Sequence, residues 1–478
     1  MHVRTLAWAM WIALFAVCGC GGGSPAPGPT AISSSPVASP TPTPSPAHAV
    51  SPSPVPTVSP SPVPTLSPTP AHSASATPAI QHVVIVFQEN RTPDNLFQGV
   101  AGADIATSGL DSNGNTIPLQ PIPLANTYDI SHAHSAFLDL YDGGKMDGAN
   151  KEPTSCGARC PYTNPQYGYV PSSDNGPYVT MATQYTFADR MFQTNEGPSY
   201  PAHQFIFSGT SEPSAGSDLL VSENPDHSRS PGCLSSERAK VEVIDPAGAE
   251  DQTVVSCFDH QTLADVLDAK GVSWRYYAAG TTGIWVAPNS IAHIQAGPDW
   301  ANVISPQSQV LNDISSGNLA QVSWVTPTAA ESDHAKANNG TGPAWVSSIV
   351  NAIGQSPYWN DTVIFVTWDD WGGWYDHVPP QIFGSYELGA RVPLIVISPY
   401  AKRGYVSHVQ HEFGSILKFT EETFGTASIG FSDVRADDLS DCFNFQAAPQ
   451  PFRKIRAPYS ASYFLSLPPD TRNPDTDF

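Results

Sequence analysis

Two short acidic runs, far apart in the chain, hold the groups best suited to bind a cation. Glu89-Asn90 follows one apolar run and Asp369-Asp370 follows another. Three carboxylates and one amide oxygen make a hard-oxygen donor set. Such a set suits Ca²⁺, Mg²⁺ or Mn²⁺, and with histidine added it can hold Zn²⁺ or Fe. Adjacent acids after a strand also serve as helix caps or solvated loop residues, so spacing alone leaves both readings open.

A candidate nucleophile lies between them, in Asn195-Glu196-Gly197-Pro198-Ser199-Tyr200-Pro201-Ala202-His203. Gly and Pro make a turn, and the apolar Phe205-Ile206-Phe207 that follows suits a helix. A serine there presents its hydroxyl beside a helix N-terminus, which favours an alkoxide and a bound phosphate. Coordination to a metal lowers the hydroxyl pKa further. The plain alternative is an N-cap serine.

Three more clusters carry groups that could handle protons or phosphoryl oxygens. His132 and His134 stand two apart in Tyr128-Asp129-Ile130-Ser131-His132-Ala133-His134. They could bind metal or donate to phosphate, or be structural. Lys145, beside Gly143-Gly144, could reach a transferring phosphoryl group. In Ser332-Asp333-His334 and Tyr375-Asp376-His377 an Asp beside the His could raise its basicity.

Strands must position these groups. Apolar runs at 82–87, 272–277, 321–325, 362–368 and 392–398 read as buried strands. Helical patterns lie at 261–270, 343–353 and 415–424, ending near Gly271, Gly354 and Gly425. Alternating strands and helices predict an α/β domain with a mostly parallel sheet. Ligands in such sheets sit at the carboxyl ends of the strands. Both acidic pairs fall there, so they can converge across about 280 positions of sequence.

Several blocks together resemble the bacterial phosphoesterase family that contains phospholipases C and the respiratory-burst-inhibiting acid phosphatases. They are His82-Val83-Val84-Ile85-Val86-Phe87-Gln88-Glu89-Asn90-Arg91, Asp142-Gly143-Gly144-Lys145-Met146-Asp147-Gly148 and Glu196-Gly197-Pro198-Ser199-Tyr200-Pro201. Downstream come Trp368-Asp369-Asp370-Trp371-Gly372-Gly373-Trp374-Tyr375-Asp376-His377-Val378-Pro379-Pro380 and Gly389-Ala390-Arg391-Val392-Pro393.

The resemblance implies an alkaline-phosphatase-like α/β sandwich. It implies that Glu89, Asn90, Asp369 and Asp370 hold a divalent metal ion and that Ser199 is the metal-bound nucleophile. His132, His134 and His334 would surround the phosphate or protonate the leaving group. His377 would support the site from behind or be structural. This chain departs from the family at one place: many members carry Asn three residues after the nucleophile, where Ala202 and then His203 stand here.

The implied substrate is a phosphate monoester, as for an acid phosphatase or broad phosphoesterase. The second reading is phosphatidylcholine, cleaved by a phospholipase C that releases phosphocholine. A third, of another class, is a surface lipoprotein that binds metal or sugar without turnover. Trp371 and Trp374 either meet lipid or pack beside the Gly-Gly turn.

Bulk properties bound the setting. Arg4 and the apolar run to Val17 form an export signal over 1–20, with Cys20 placed for lipidation; cleavage and release is the alternative. Residues 21–78 read as a Pro/Ser/Thr-rich linker, with no Asp, Glu, Lys or Arg between Ser24 and Pro78. As a stiff tether such a segment reaches about 150 Å. Residues 79–478 are the catalytic domain. The expected location is the bacterial cell envelope or outside the cell, with membrane contact through the lipid anchor.

A net charge of -22, from 21 Lys plus Arg against 43 Asp plus Glu, opposes nucleic acid as a partner. Export makes disulfides Cys156–Cys160 and Cys233–Cys257 the expected pairs, with Cys442 left free. A zinc site at Cys156 and Cys160 is the other option.

Overall fold

The strand at the middle of the sheet is β1 (His82–Gln88), an apolar run of mostly Val and Ile. β-branched side chains suit a pleated surface buried on both faces, as parallel sheets require. The computed structural model describes residues 80–225, 231–234 and 239–470. The expected signal, Cys20 and the linker therefore lie outside the described residues.

Seven further strands complete the main sheet. They are β2 (Thr186–Ala188), β3 (Trp274–Tyr277), β4 (Val303–Ile304), β5 (Val322–Val325), β6 (Thr362–Trp368), β7 (Leu394–Ile397) and β8 (Tyr405–Ser407). Their order is β4-β3-β5-β1-β6-β7-β2-β8. All are parallel except β7, which runs against both β6 and β2. The mostly parallel α/β sandwich expected from the sequence is therefore present.

The antiparallel β7 was not foreseen. A parallel neighbour for β6 would need a crossover, usually a helix. The segment between β6 and β7 is instead a helix-free loop, so the chain returns in the opposite sense. That loop carries Asp369, Asp370 and the Gly-Gly turn.

Helices flank the sheet: α1 (His134–Tyr141), α2 (Ser172–Gln184), α3 (Ser199–Ser208), α4 (Leu263–Lys270), α5 (Gln309–Ser316), α6 (Gly342–Gly354) and α7 (Phe413–Phe424). α6 packs on α2 and α5, whereas α7 packs on α3 and α4. The three patterns read from sequence became α4, α6 and α7, and Phe205-Ile206-Phe207 lies in α3 as expected. α4 shows why the local signal sufficed. Thr262 and Asp265 form a reciprocal cap at its start, and Gly271 ends it at φ 73°.

After α3 the chain makes an excursion that the sequence did not reveal. Leu220–Val221, Lys240–Ile244 and Gln252–Val255 form a small antiparallel sheet. The Cys233–Cys257 bridge closes this region, Cys156–Cys160 is also formed, and Cys442 is free and buried. Trp371 and Trp374 are fully buried, which corrects the lipid-contact option. Among the described residues no helix is long and apolar enough to cross a membrane.

Candidate active site

β1 and β6 end side by side, with Gln88 opposite Trp368 in the parallel register. The next residues on each strand are the two acidic pairs, so they emerge together. Asn90 adopts φ 64°, and its backbone N–H donates to Asp369 Oδ1 at 2.9 Å. The Asp369 N–H donates back to the Gln88 carbonyl at 3.0 Å.

The loop can close this tightly only because of Gly372. A Cβ there would lie 2.4 Å from the Asn90 carbonyl oxygen, and φ is +63°. Asp370 is held from both sides. Its Oδ1 accepts from the Gly372 N–H at 2.7 Å and its Oδ2 from Ser199 Oγ at 3.0 Å.

Ser199 is the first residue of α3, after Pro198. Gln193 fixes the turn before it. Its Nε2 donates to the carbonyls of Asn195 (2.7 Å) and Gly197 (2.9 Å), while its Oε1 accepts from the Trp371 N–H (3.1 Å). One amide thus ties the serine turn to the Asp370 loop.

His203 follows one helical turn after Ser199, on the same face of α3. Its Nε2 lies 3.4 Å from Glu89 Oε1 and 3.8 Å from Asp369 Oδ2. Both Glu89 oxygens, Asn90 Oδ1, Asp369 Oδ2 and His203 Nε2 are buried without a hydrogen-bond partner. Buried acceptors left bare cost free energy, and buried charges need a counter-charge or a metal. The donor set thus fits a divalent cation, which would satisfy them together. Burial, and then repulsion from Asp369, pushes Glu89 and Asp370 well above the ordinary carboxyl range. Burial drives His203 down to about 4.

The structure sorts the remaining predicted residues. His132 is in the cluster. Its Nδ1 donates to the Ile130 carbonyl (2.9 Å), and its Nε2 accepts from Asn90 Nδ2 (3.0 Å) in the consistent tautomer. That bond engages the Asn90 amide nitrogen and leaves Oδ1 without a hydrogen-bond partner. The His334 ring stands 5.8 Å from that of His132, with Nδ1 on the Ala335 carbonyl at 2.7 Å.

Asp333 does not support His334 as the sequence suggested. Its Oδ2 accepts from Trp368 Nε1 at 3.0 Å, and burial lifts its pKa to about 6. His377 lies in a separate network. It bonds Asp94 (2.7 Å) and Asp104 (3.0 Å), while neighbouring Asp376 bonds Arg391.

Two predicted residues are not gathered into the cluster. His134 has both ring nitrogens on carboxylates, Glu250 and Glu196, each at 3.0 Å. Burial opposes its charge, but those two bonds outweigh it and raise the pKa to about 9. Lys145 is 65% exposed and pairs with Asp142 at 2.7 Å, because the left-handed glycine turn leaves it on the surface. Sequence reasoning passed over Gln193 and treated His203 only as a departure. The four-residue spacing from Ser199 was the available signal for His203. Gln193 had none, because its role depends on a tertiary contact with Trp371.

The α/β sheet thus presents a buried serine and converging acids at its strand ends. The phosphoesterase family's profile matches residues 80–427, and the chain belongs to that family. Hemolytic phospholipase C of Pseudomonas aeruginosa is 26% identical, over 77% of this chain and 56% of that protein. Phospholipase C A of Mycobacterium tuberculosis is 23% identical, over 78% of this chain and 79% of its own length. The chain spans just over half the length of the Pseudomonas relative. Among solved structures, a protein in the alkaline phosphatase superfamily from Vibrio parahaemolyticus aligns at TM-score 0.34 and 9% identity, covering 74% of this chain and 70% of that one.

Proposed function

We propose that this chain hydrolyses phosphate esters through Ser199, with a divalent cation held by Glu89, Asn90, Asp369 and Asp370. The observation that carries the proposal is the Ser199 hydroxyl, bonded to Asp370 at the head of α3 within a nest of unpartnered buried acceptors. A bound cation supplies positive charge that lowers the hydroxyl pKa and offsets charge on phosphoryl oxygens.

The chain's own groups do the rest. Asp370 Oδ2 accepts the Ser199 hydrogen bond and orients the oxygen for attack on phosphorus. The N-terminus of α3 favours negative charge at that oxygen. The Ser199 Oγ–P bond forms as the P–O bond to the alcohol breaks, and the hydroxyl proton passes to Asp370 Oδ2, 3.0 Å away. His334, whose Nδ1 is fixed on Ala335, gives the leaving alcohol a proton from Nε2. Water then gives a proton to His334 and bonds to phosphorus as the Oγ–P bond breaks, and Asp370 returns its proton to the Ser199 oxygen. His132 holds Asn90 in orientation and faces the phosphate.

The first substrate reading is a phosphate monoester. The second, a phospholipid diester, is favoured by relatives that are phospholipases C by name. Ser199→Ala should cut turnover of p-nitrophenyl phosphate and of its choline diester by roughly a thousand-fold or more, while cation binding persists. Full activity in that variant would sink the assignment. The ratio of the two wild-type rates separates the substrate readings.

A further inference from the structure

We infer that His203 is a nitrogen ligand of the proposed cation and biases the site toward a borderline ion, Zn²⁺ foremost, over Ca²⁺ or Mg²⁺. The inference deepens the proposed function and rests on its metal centre.

The geometry is specific. His203, Glu89 and Asp369 each offer one buried donor atom, and the three lie within 4.8 Å of one another. Two donors bonded to one Zn²⁺ at about 2.1 Å and roughly tetrahedral angles stand about 3.4 Å apart. The Nε2 to Glu89 Oε1 separation is 3.4 Å, and that to Asp369 Oδ2 is 3.8 Å.

The imidazole is also oriented for the task. Tyr276 Oη donates its proton to the Trp285 carbonyl at 2.7 Å. Its oxygen, 3.4 Å from His203 Nδ1, is then left to accept the Nδ1–H. That bond fixes the tautomer with the Nε2 lone pair aimed at the acids, as second-sphere partners of metal-bound histidines do. The Trp285 ring stacks on one face at 6.4 Å and Phe87 meets the ring edge-on at 5.7 Å, which limits rotation. A lone pair and two carboxylate oxygens converging in this way repel one another unless a proton or a cation lies between them.

Carboxylates and amides alone favour Ca²⁺, Mg²⁺ or Mn²⁺, whereas imidazole favours Zn²⁺ and Fe²⁺. The adjacent Ala202, which carries no polar group, leaves His203 as the polar side chain that α3 sends to this spot one turn after Ser199.

The test uses the full-length protein, stripped by chelator and reloaded. Pulsed EPR of the Mn²⁺-loaded protein should show a directly bound histidine nitrogen, and His203→Asn should lose that coupling. In chelator competition the same variant should lose at least about 100-fold in its preference for Zn²⁺ over Ca²⁺, more than the loss of an outer partner causes. Should the Asn variant misfold, the nitrogen coupling of the native protein decides the matter alone. Bound Mn²⁺ without nitrogen coupling, or an unchanged ion preference in a folded variant, would overturn the role of His203 and leave the acid site standing. A native protein that binds no divalent ion would remove the metal centre and this inference together.

Discussion

Ser199 and His203 stand one turn apart on α3, and Glu89, Asn90, Asp369 and Asp370 come to them from the ends of two adjacent strands. At the residue scale the controlling fact is the concentration of buried carboxyl groups. Burial lifts Glu89 and Asp370 well above the ordinary carboxyl range, with Asp369 adding to the shift. An acid raised in the folded state contributes stability that is complete below its unfolded pKa. That contribution is lost as pH rises through the folded value. In the metal-free protein these two carboxyls should therefore favour the folded state as pH falls from neutral, opposed by His203 and Asp369, whose lowered values act the other way, and cation binding should expel protons and tighten as pH rises. Titration calorimetry in buffers of different ionisation enthalpy measures the protons released. Binding without proton release would contradict this picture.

At the element scale, α1 and the small antiparallel excursion meet at His134. The ring bridges Glu250, beside the excursion's last strand, and Glu196, in the turn before Ser199. The backbone N–H of His134 also donates to Glu223 at 2.9 Å. Through Glu196 this histidine is tied to the turn that precedes Ser199. Its folded pKa of about 9 exceeds the ordinary 6.5, so its contribution is complete below pH 6.5 and fades as pH rises through about 9. His134→Gln should cost roughly 2 kcal/mol at the acid end of that window and little beyond it. Denaturant melts across the range read this directly, and a pH-independent loss would argue against the charged bridge.

The same elements show what the sequence could reveal. Strands such as β1 and β6 are continuous apolar runs, and α4 carries its own cap and glycine stop, so local pattern was enough. The convergence of Glu89-Asn90 with Asp369-Asp370 followed from the strand-end rule. His134 bonds Glu250 and Glu196, and Lys145 bonds Asp142, contacts that spacing does not encode. The antiparallel β7 was hidden because its apolar run looks the same in either direction.

At the scale of the whole molecule, the chain carries a net charge of -22, and the proposed substrate is an anionic ester. Long-range repulsion should keep the chain off anionic surfaces. Co-sedimentation with phosphatidylserine-rich vesicles should be weak at low ionic strength and should not strengthen as salt falls. Binding that grew at low salt would reveal a basic face that the charge balance does not suggest. We propose that the Pro-rich segment before residue 79 serves as a tether, so that any membrane contact comes from the N-terminus rather than from the domain.

On the proposed function, Ser199 becomes phosphorylated during turnover. Acid quenching of the enzyme at work on p-nitrophenyl phosphate, followed by peptide mass spectrometry, tests it most directly. The expected result is one phosphoryl adduct on the peptide that contains Ser199, absent from Ser199→Ala. Steady turnover with no adduct on that peptide, and an undiminished rate in the alanine variant, would contradict it.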